Sequence, residues 1–138
     1  MDKEKKTGLE FYNLLFEDEG FTMEMGRVTL AAGRLEAELM QFLKRKGIKR
    51  NVTSKTLGQL IYIGKDKGVI DNDVLKTLEL VLKQRNYLTH NIYSLFNELI
   101  DEPDIVKGDL LLDDVTVYTD RAFVLRNNLN DIADMLTG

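Results

Sequence analysis

The chain has 138 residues, a net charge of −4 and no cysteine. That length suits one domain with a single core, and 43% hydrophobic with 30% charged residues is ordinary for a globular protein. The lack of cysteine excludes disulfides and thiolate metal sites, and a single histidine excludes a histidine-rich zinc site within one chain. Because the apolar runs are too short to cross a membrane and the first six residues do not resemble a signal peptide, we expect a cytoplasmic protein.

The apolar spacing predicts two helices in the first third of the chain. A short helix is expected over residues 7–17. Its apolar positions are Leu9, Tyr12, Leu14, Leu15 and Phe16. A longer helix is expected over residues 22–46 and should end at Gly47, since glycine favours the helix C-terminus. The predicted buried stripe of the second helix is Val28, Ala31, Leu35, Leu39, Phe42 and Leu43.

Two further helices are expected in the middle of the chain. The third should begin at Ser54 as its N-cap and end before Gly68. Its apolar positions are Leu57, Leu60, Ile61 and Ile63. The fourth, with Asp71 as its N-cap, should cover residues 72–100, shortly before the only proline, Pro103.

The last third predicts a connection and a final helix. Residues 101–117 should form an acidic connection with a short extended piece at 110–112 or 115–118. Thr119 should cap a helix that runs to about Leu136. Its predicted inward positions are Phe123, Leu125, Leu129, Ile132 and Met135. The pattern therefore predicts an all-α, up-and-down bundle of four main helices plus a short N-terminal helix, in a single domain.

The fourth helix carries an arginine within its apolar stripe. The stripe comprises Val74, Leu78, Val81, Leu88, Ile92, Phe96 and Leu99, with Arg85 in its middle. A neighbouring polar stripe comprises Asn86, His90, Tyr93 and Asn97. Because burying an unpaired charge is costly, Arg85 needs a partner or a purpose.

These side-chain types suit phosphodiester cleavage. His90 can transfer a proton near neutral pH, and the guanidinium fork of Arg85 matches phosphate oxygens and can stabilise developing charge. Asn86 could hold the imidazole or a phosphate oxygen. RNA supplies its own nucleophile, the 2′-hydroxyl, so this chemistry needs no metal and no cofactor.

A purely structural interpretation stands beside this one. Arg85 could form an ion pair with Glu36 or Glu38 of the second helix. A lone histidine at the edge of a bundle is usually a hydrogen-bonded structural residue. Tyr93 is more easily read as a packed aromatic than as a catalytic acid.

The segment Gln84-Arg85-Asn86-Tyr87-Leu88-Thr89-His90 resembles the signature of the HEPN superfamily, an arginine and a polar residue followed by a histidine. The order of the preceding segments, Gly33-Arg34-Leu35-Glu36 and then Thr56-Leu57-Gly58-Gln59-Leu60-Ile61, is also similar to small prokaryotic members. The likeness covers about residues 22–136.

The resemblance implies a helical bundle that forms a homodimer, with the signature helices of two copies lining a cleft. It implies a metal-independent endoribonuclease, such as a toxin restrained by an antitoxin protein or an anti-phage effector. Arg85 would bind the scissile phosphate, His90 would transfer protons and Asn86 would support them. Tyr93 and Asn97, which share a helix stripe with Asn86 and His90, are possible supporting residues. Some members are instead non-catalytic modules that bind a protein or a nucleotide.

Five cations crowd the end of the second helix: Lys44, Arg45, Lys46, Lys49 and Arg50. They can be read as a solvated helix end, because cations suit a helix C-terminus, or as contacts to RNA phosphates. A DNA-binding regulator that uses them is a third interpretation, although no helix-turn-helix pattern accompanies them.

Overall fold

The computed structural model describes the backbone of residues 8–91 and 112–137, and the side chains of residues 10–89 and 115–137. All regular structure in these ranges is helical, so the all-α class is confirmed. The α-helices are α1 (Gly8–Glu17), α2 (Glu19–Arg45), α3 (Leu57–Lys67), α4 (Asn72–Asn86) and α5 (Leu112–Leu136). A five-residue π-helix, Tyr87–Asn91, follows α4 directly.

Among the described helices, none combines the length and the apolar character that a membrane crossing requires.

The contacts within the chain form two compact units. Unit 1 combines Met1–Gly26 with Asn86–Val124, and unit 2 combines Arg27–Arg85 with Leu125–Gly138. Helices α2 and α5 therefore contribute residues to both units. One boundary falls between Arg85 and Asn86, inside the motif that the sequence singled out.

In unit 1, α1 packs against the first half of α5 through an aromatic pair. The rings of Phe11 and Tyr118 meet edge to face, with centroids 5.7 Å apart, and the Arg121 guanidinium lies 5.2 Å from the centre of the Tyr118 ring. Phe11 is fully buried, whereas Phe16 is 64% exposed. Phe16, one of the apolar positions noted for α1, is therefore exposed, and Phe11, which was not among them, is buried, because the face that α1 buries is centred on Phe11 and Leu15.

In unit 2, the predicted stripes of α2 and α3 form most of the core. Side chains that are almost completely buried there include Val28, Leu35, Leu39, Leu43, Leu57, Leu60, Ile63, Leu78, Val81, Leu125 and Leu129. Phe42 is only half-buried, and its ring lies 5.4 Å below the Lys46 ammonium. The three-and-four spacing therefore predicted the core face of α2 correctly except at this edge position.

The predicted glycine stops are confirmed. Gly47 and Gly68 both have positive φ, 83° and 65°, a conformation that costs glycine little. At each end, the residue after the glycine donates its backbone N–H to a carbonyl in the last turn, Ile48 to Leu43 at 3.1 Å and Val69 to Gly64 at 3.2 Å. This is the Schellman arrangement that closes many helices.

The predicted N-cap is correct for α4 but wrong for α3. Asp71 accepts the backbone N–H of Asp73 at 3.2 Å. The cap of α3 is Thr56 rather than Ser54: the Thr56 hydroxyl accepts from the Gln59 N–H, and the Gln59 side chain accepts from the Thr56 N–H. Ser54 has φ 63°, which is incompatible with the extended backbone that an N-cap needs.

Two other helix starts differ from the prediction. Helix α2 begins at Glu19 because the Asp18 carboxylate accepts the Phe21 N–H at 2.7 Å and caps it. Helix α5 begins at Leu112, so residues 115–118 are helical rather than extended. Thr119 lies inside α5, where its hydroxyl donates to the Val115 carbonyl at 2.8 Å.

The core face of α5 also differs from the prediction at two positions. Leu125, Leu129 and Ile132 are buried as expected, but Phe123 is 44% exposed and Met135 is 62% exposed. Position 122 is one turn from Leu125, so Ala122 takes the buried place that Phe123 was expected to fill.

Candidate functional site

Arg85 and Asn86 are the last two residues of α4, and both are half-buried. Val81, one turn before Arg85, is 1% exposed, and Leu88, three residues after it, is 6% exposed. With Leu78, these residues confirm most of the described part of the apolar stripe, whereas Val74 is only half-buried. The rest of the stripe, from Ile92 onward, lies outside the described residues.

The Arg85 guanidinium is placed partly out of water. Its Nε atom is completely buried. The two carboxylates that the sequence offered as its ion-pair partners have other roles: Glu36 accepts the Leu57 backbone N–H at 3.2 Å, and Glu38 accepts the Thr137 hydroxyl at 2.6 Å. Each of these carboxylates therefore has at least one partner other than Arg85.

The π-helix Tyr87–Asn91 coincides with the second half of the motif and includes the backbone of His90. A π-helix joins residues five apart, and such turns are rare and often lie at functional sites. Tyr87 and Thr89 are half-buried, while Leu88 packs into the interior. The His90 side chain, Tyr93 and Asn97 lie outside the part of the chain whose side chains are described.

Sequence reasoning missed Gln84, which precedes the motif. Its side-chain oxygen Oε1 is buried and accepts no hydrogen bond from the described residues. A buried acceptor of this kind carries a free-energy cost. No pattern in the sequence distinguishes this glutamine, because its half-buried position depends on the packing around α4.

The five cations at the end of α2 form a basic cluster, defined here as Lys44, Arg45, Lys46, Lys49 and Arg50. All five are exposed. Arg45 donates to the Leu136 carbonyl at the end of α5, so it joins two helices of unit 2. Lys44, Lys49 and Arg50 form no ion pair with the described residues, which leaves their charge open to solvent or to an anionic partner.

In the described ranges, no three His, Cys, Asp or Glu side chains are grouped in a way that could hold a metal ion.

Neither a protein-family model, nor a curated protein, nor a solved structure matches this chain.

Proposed function

We propose that this protein is a metal-independent endoribonuclease of the HEPN type, built on an up-and-down helical bundle. Arg85, Asn86 and His90 form its catalytic motif. In this proposal it acts as a homodimer in a toxin or phage-defence role, and an antitoxin or regulatory protein restrains it.

The observation that carries the proposal is the π-helix on the motif itself. In an α-helix, residues five apart lie about 140° apart round the axis. In a π turn, the backbone hydrogen bond joins residues five apart and draws such positions together. The π-helix begins at Tyr87, two residues after Arg85, and includes the backbone of His90, so it changes the backbone spacing within the motif.

The reaction requires no group beyond the chain and its substrate. The 2′-hydroxyl oxygen of RNA attacks the adjacent phosphorus, and the bond from phosphorus to the 5′-oxygen breaks. His90 takes the proton of the attacking hydroxyl or gives one to the leaving oxygen. Arg85 holds the phosphate and stabilises its additional negative charge. The products are a 2′,3′-cyclic phosphate and a 5′-hydroxyl.

The basic cluster supplies a surface for the rest of the RNA backbone. Its five cations lie within seven residues, all exposed, although the whole chain is acidic. Lysine and arginine that neutralise phosphates release counterions, which makes such binding dependent on salt. In this proposal, the basic cluster binds and positions the RNA. Arg85 and His90 then cleave the RNA.

The test is cleavage of a mixed-sequence RNA by the purified protein in excess EDTA. We expect fragments that end in a 2′,3′-cyclic phosphate. His90→Ala and Arg85→Ala should each abolish cleavage, and Arg85→Lys should lose most of it because lysine lacks the planar fork. Circular dichroism checks that each variant keeps its helices.

Lys83→Ala is the matched control, since it removes a cation from an exposed position on the same helix. It should cleave like the wild type. Equal cleavage by the wild type and by His90→Ala would identify a contaminating nuclease and would contradict the proposal.

The alternative function is a non-catalytic helical module that binds a protein or a nucleotide. The buried Nε of Arg85 and the net charge of −4 favour it, because an Arg85 partly withdrawn from water is less accessible to a phosphate and an acidic surface repels RNA. A folded protein that neither cleaves nor binds RNA would support this alternative.

A further inference from the structure

The outer face of α2 has an unusual composition. The helix has 27 residues, so it is about 40 Å long. The face opposite its buried stripe would normally be polar. Here that face carries apolar and small residues at alternating steps of three and four: Met23, Gly26, Leu30, Gly33, Ala37 and Met40. We call these six positions the outer seam.

The outer seam is open in the structure. Leu30 is 76% exposed and Met23 is 54% exposed. Gly26, Gly33 and Ala37 are exposed, and Met40 is half-buried. Repetition at steps of three and four on one helix face is the pattern by which two helices pack together in a coiled coil.

The described residues give no packing reason for the two glycines of the seam. Glycine in the middle of a helix costs about 1 kcal/mol relative to alanine. A methyl group at Gly26 or at Gly33 would meet no other atom within 4 Å, so packing inside the chain does not require either glycine. Glycine on an open helix face does allow another backbone to approach closely.

We infer that the outer seam binds the outer seam of a second copy of this chain, with the two α2 helices antiparallel. One register pairs every position of the seam with another position of the seam. In it, Leu30 fills the space above Gly33 of the partner copy, Gly26 faces Ala37, and Met23 faces Met40. A two-fold axis repeats each pair, as an isologous interface requires.

Charge at the ends of the seam selects the antiparallel direction. The same steps extend the seam to Glu19 at one end and to Lys44 at the other, and both residues are exposed. In the antiparallel register, Glu19 of each copy lies beside Lys44 of its partner. In a parallel pair, Glu19 would face Glu19 and Lys44 would face Lys44, which like charges disfavour.

This inference does not depend on the proposed nuclease activity. The family resemblance pairs copies through their signature helices, whereas the outer seam lies on α2. Because the seam is the face of a single helix, it buries less area than a standard interface of about 800 Å² per partner. We therefore expect an association that depends strongly on protein concentration.

Disulfide cross-linking tests the direction and the register, because the chain has no cysteine of its own. Met23→Cys and Met40→Cys are made as single variants. In the antiparallel register, two copies of position 23 lie about 25 Å apart along the helix axis, which no disulfide can bridge. Mild oxidation should therefore cross-link the mixture of the two variants and neither variant alone.

Sedimentation over a range of concentrations tests the association itself. The average mass of the wild type should rise with concentration, and Leu30→Glu should abolish that rise, whereas a homodimer through the signature helices, as in the proposed function, does not involve Leu30. Leu80→Glu is the matched control, since Leu80 is also exposed, at 52%, but lies on α4. Glu19→Lys and Lys44→Glu should each weaken the dimer, and the double variant should restore it.

Three results would overturn the inference: a wild type whose average mass does not rise with concentration, a rise that Leu30→Glu leaves unchanged, or rapid cross-linking of Met23→Cys alone, which indicates a parallel pair. RNA cleavage in EDTA is measured separately on the same variants. A variant that loses association through the seam but still cleaves RNA would show that the seam is not needed for cleavage. A wild type that associates through the seam but does not cleave RNA would contradict the proposed function and leave this inference intact.

Discussion

The side chain of Ile70 lies against Gly64 so closely that a methyl group at position 64 would overlap it. Leu43 Cδ2 is also only 3.3 Å from the place that this methyl group would take. At Gly64, α3 therefore packs against Ile70 and Leu43 with no room for a side chain.

We expect Gly64→Ala to destabilise the protein by about 1–3 kcal/mol, because extra volume in a packed core forces its neighbours to shift. Gly58→Ala is the matched control on the same helix. Its added methyl group would sit 3.6 Å from Leu82, an ordinary contact, so the gain in helix propensity should stabilise the protein by up to about 1 kcal/mol. Urea unfolding followed by circular dichroism measures both changes, and similar free energies of unfolding for the two variants would contradict this prediction.

The start of α3 gives a second prediction. Removal of the Thr56 hydroxyl breaks the capping box, so Thr56→Ala should lower the free energy of unfolding by about 1 kcal/mol. Ser54→Ala should change it little, since Ser54 caps no helix here. The same urea experiment compares them, and a larger effect at Ser54 would restore the cap that the sequence alone predicted.

The aromatic pair of unit 1 gives a third prediction. Phe11 is fully buried against Tyr118, so Phe11→Ala should cost about 3–5 kcal/mol. Phe16→Ala, in the same helix, removes a ring that is 64% exposed and stacks on Tyr12. It should cost less than about 1 kcal/mol. Comparable losses for the two variants would show that α1 buries a different face.

A fourth prediction concerns the ion pair that joins α2 to α5 in unit 2. Arg34 Nη2 lies 2.5 Å from Asp134 Oδ1, and the two side chains are 42% and 66% exposed. Exposed pairs of this kind contribute little, so a double-mutant cycle of Arg34→Ala and Asp134→Ala should give a coupling below about 1 kcal/mol. Added salt should reduce it further. A coupling of several kcal/mol that is independent of salt would disprove this expectation.

The fifth prediction concerns RNA binding by the basic cluster. The variant Lys49→Glu/Arg50→Glu should bind RNA more weakly, and the logarithm of its binding constant should fall less steeply with the logarithm of salt concentration, by about 1–2 in slope. Binding is measured in the His90→Ala background to prevent cleavage. Lys67→Glu/Lys76→Glu makes the same change in net charge elsewhere and should bind nearly normally. Equal loss in both double variants would indicate a general charge effect.

Most of the helices were predictable because their signals are local. The buried stripes of α2 and α3 follow from apolar residues every three or four positions, and the ends at Gly47 and Gly68 follow from a single glycine each. Packing decided the rest. Ser54 and Thr56 are both good N-cap residues. Because the backbone at Ser54 has positive φ, Thr56 is the residue that caps α3.

The sequence proposes the candidate site as a set of residues but does not give its geometry. The sequence singled out Arg85 because a charge interrupts an apolar stripe, and the structure confirms buried neighbours at Val81 and Leu88. The π-helix that follows was not predictable, because α and π turns differ by one residue in hydrogen-bond spacing and the sequence permits both.

The sequence by itself determined the helical class, the inner face of α2 and the identity of the motif, because periodicity, capping and charge are properties of neighbouring residues. Only the tertiary structure decided which ring of α1 is buried, where Glu36 and Glu38 direct their carboxylates, and that the outer seam of α2 stays open. Those outcomes depend on contacts between residues that are far apart in the chain. Such contacts bury one face of a helix and leave the opposite face exposed.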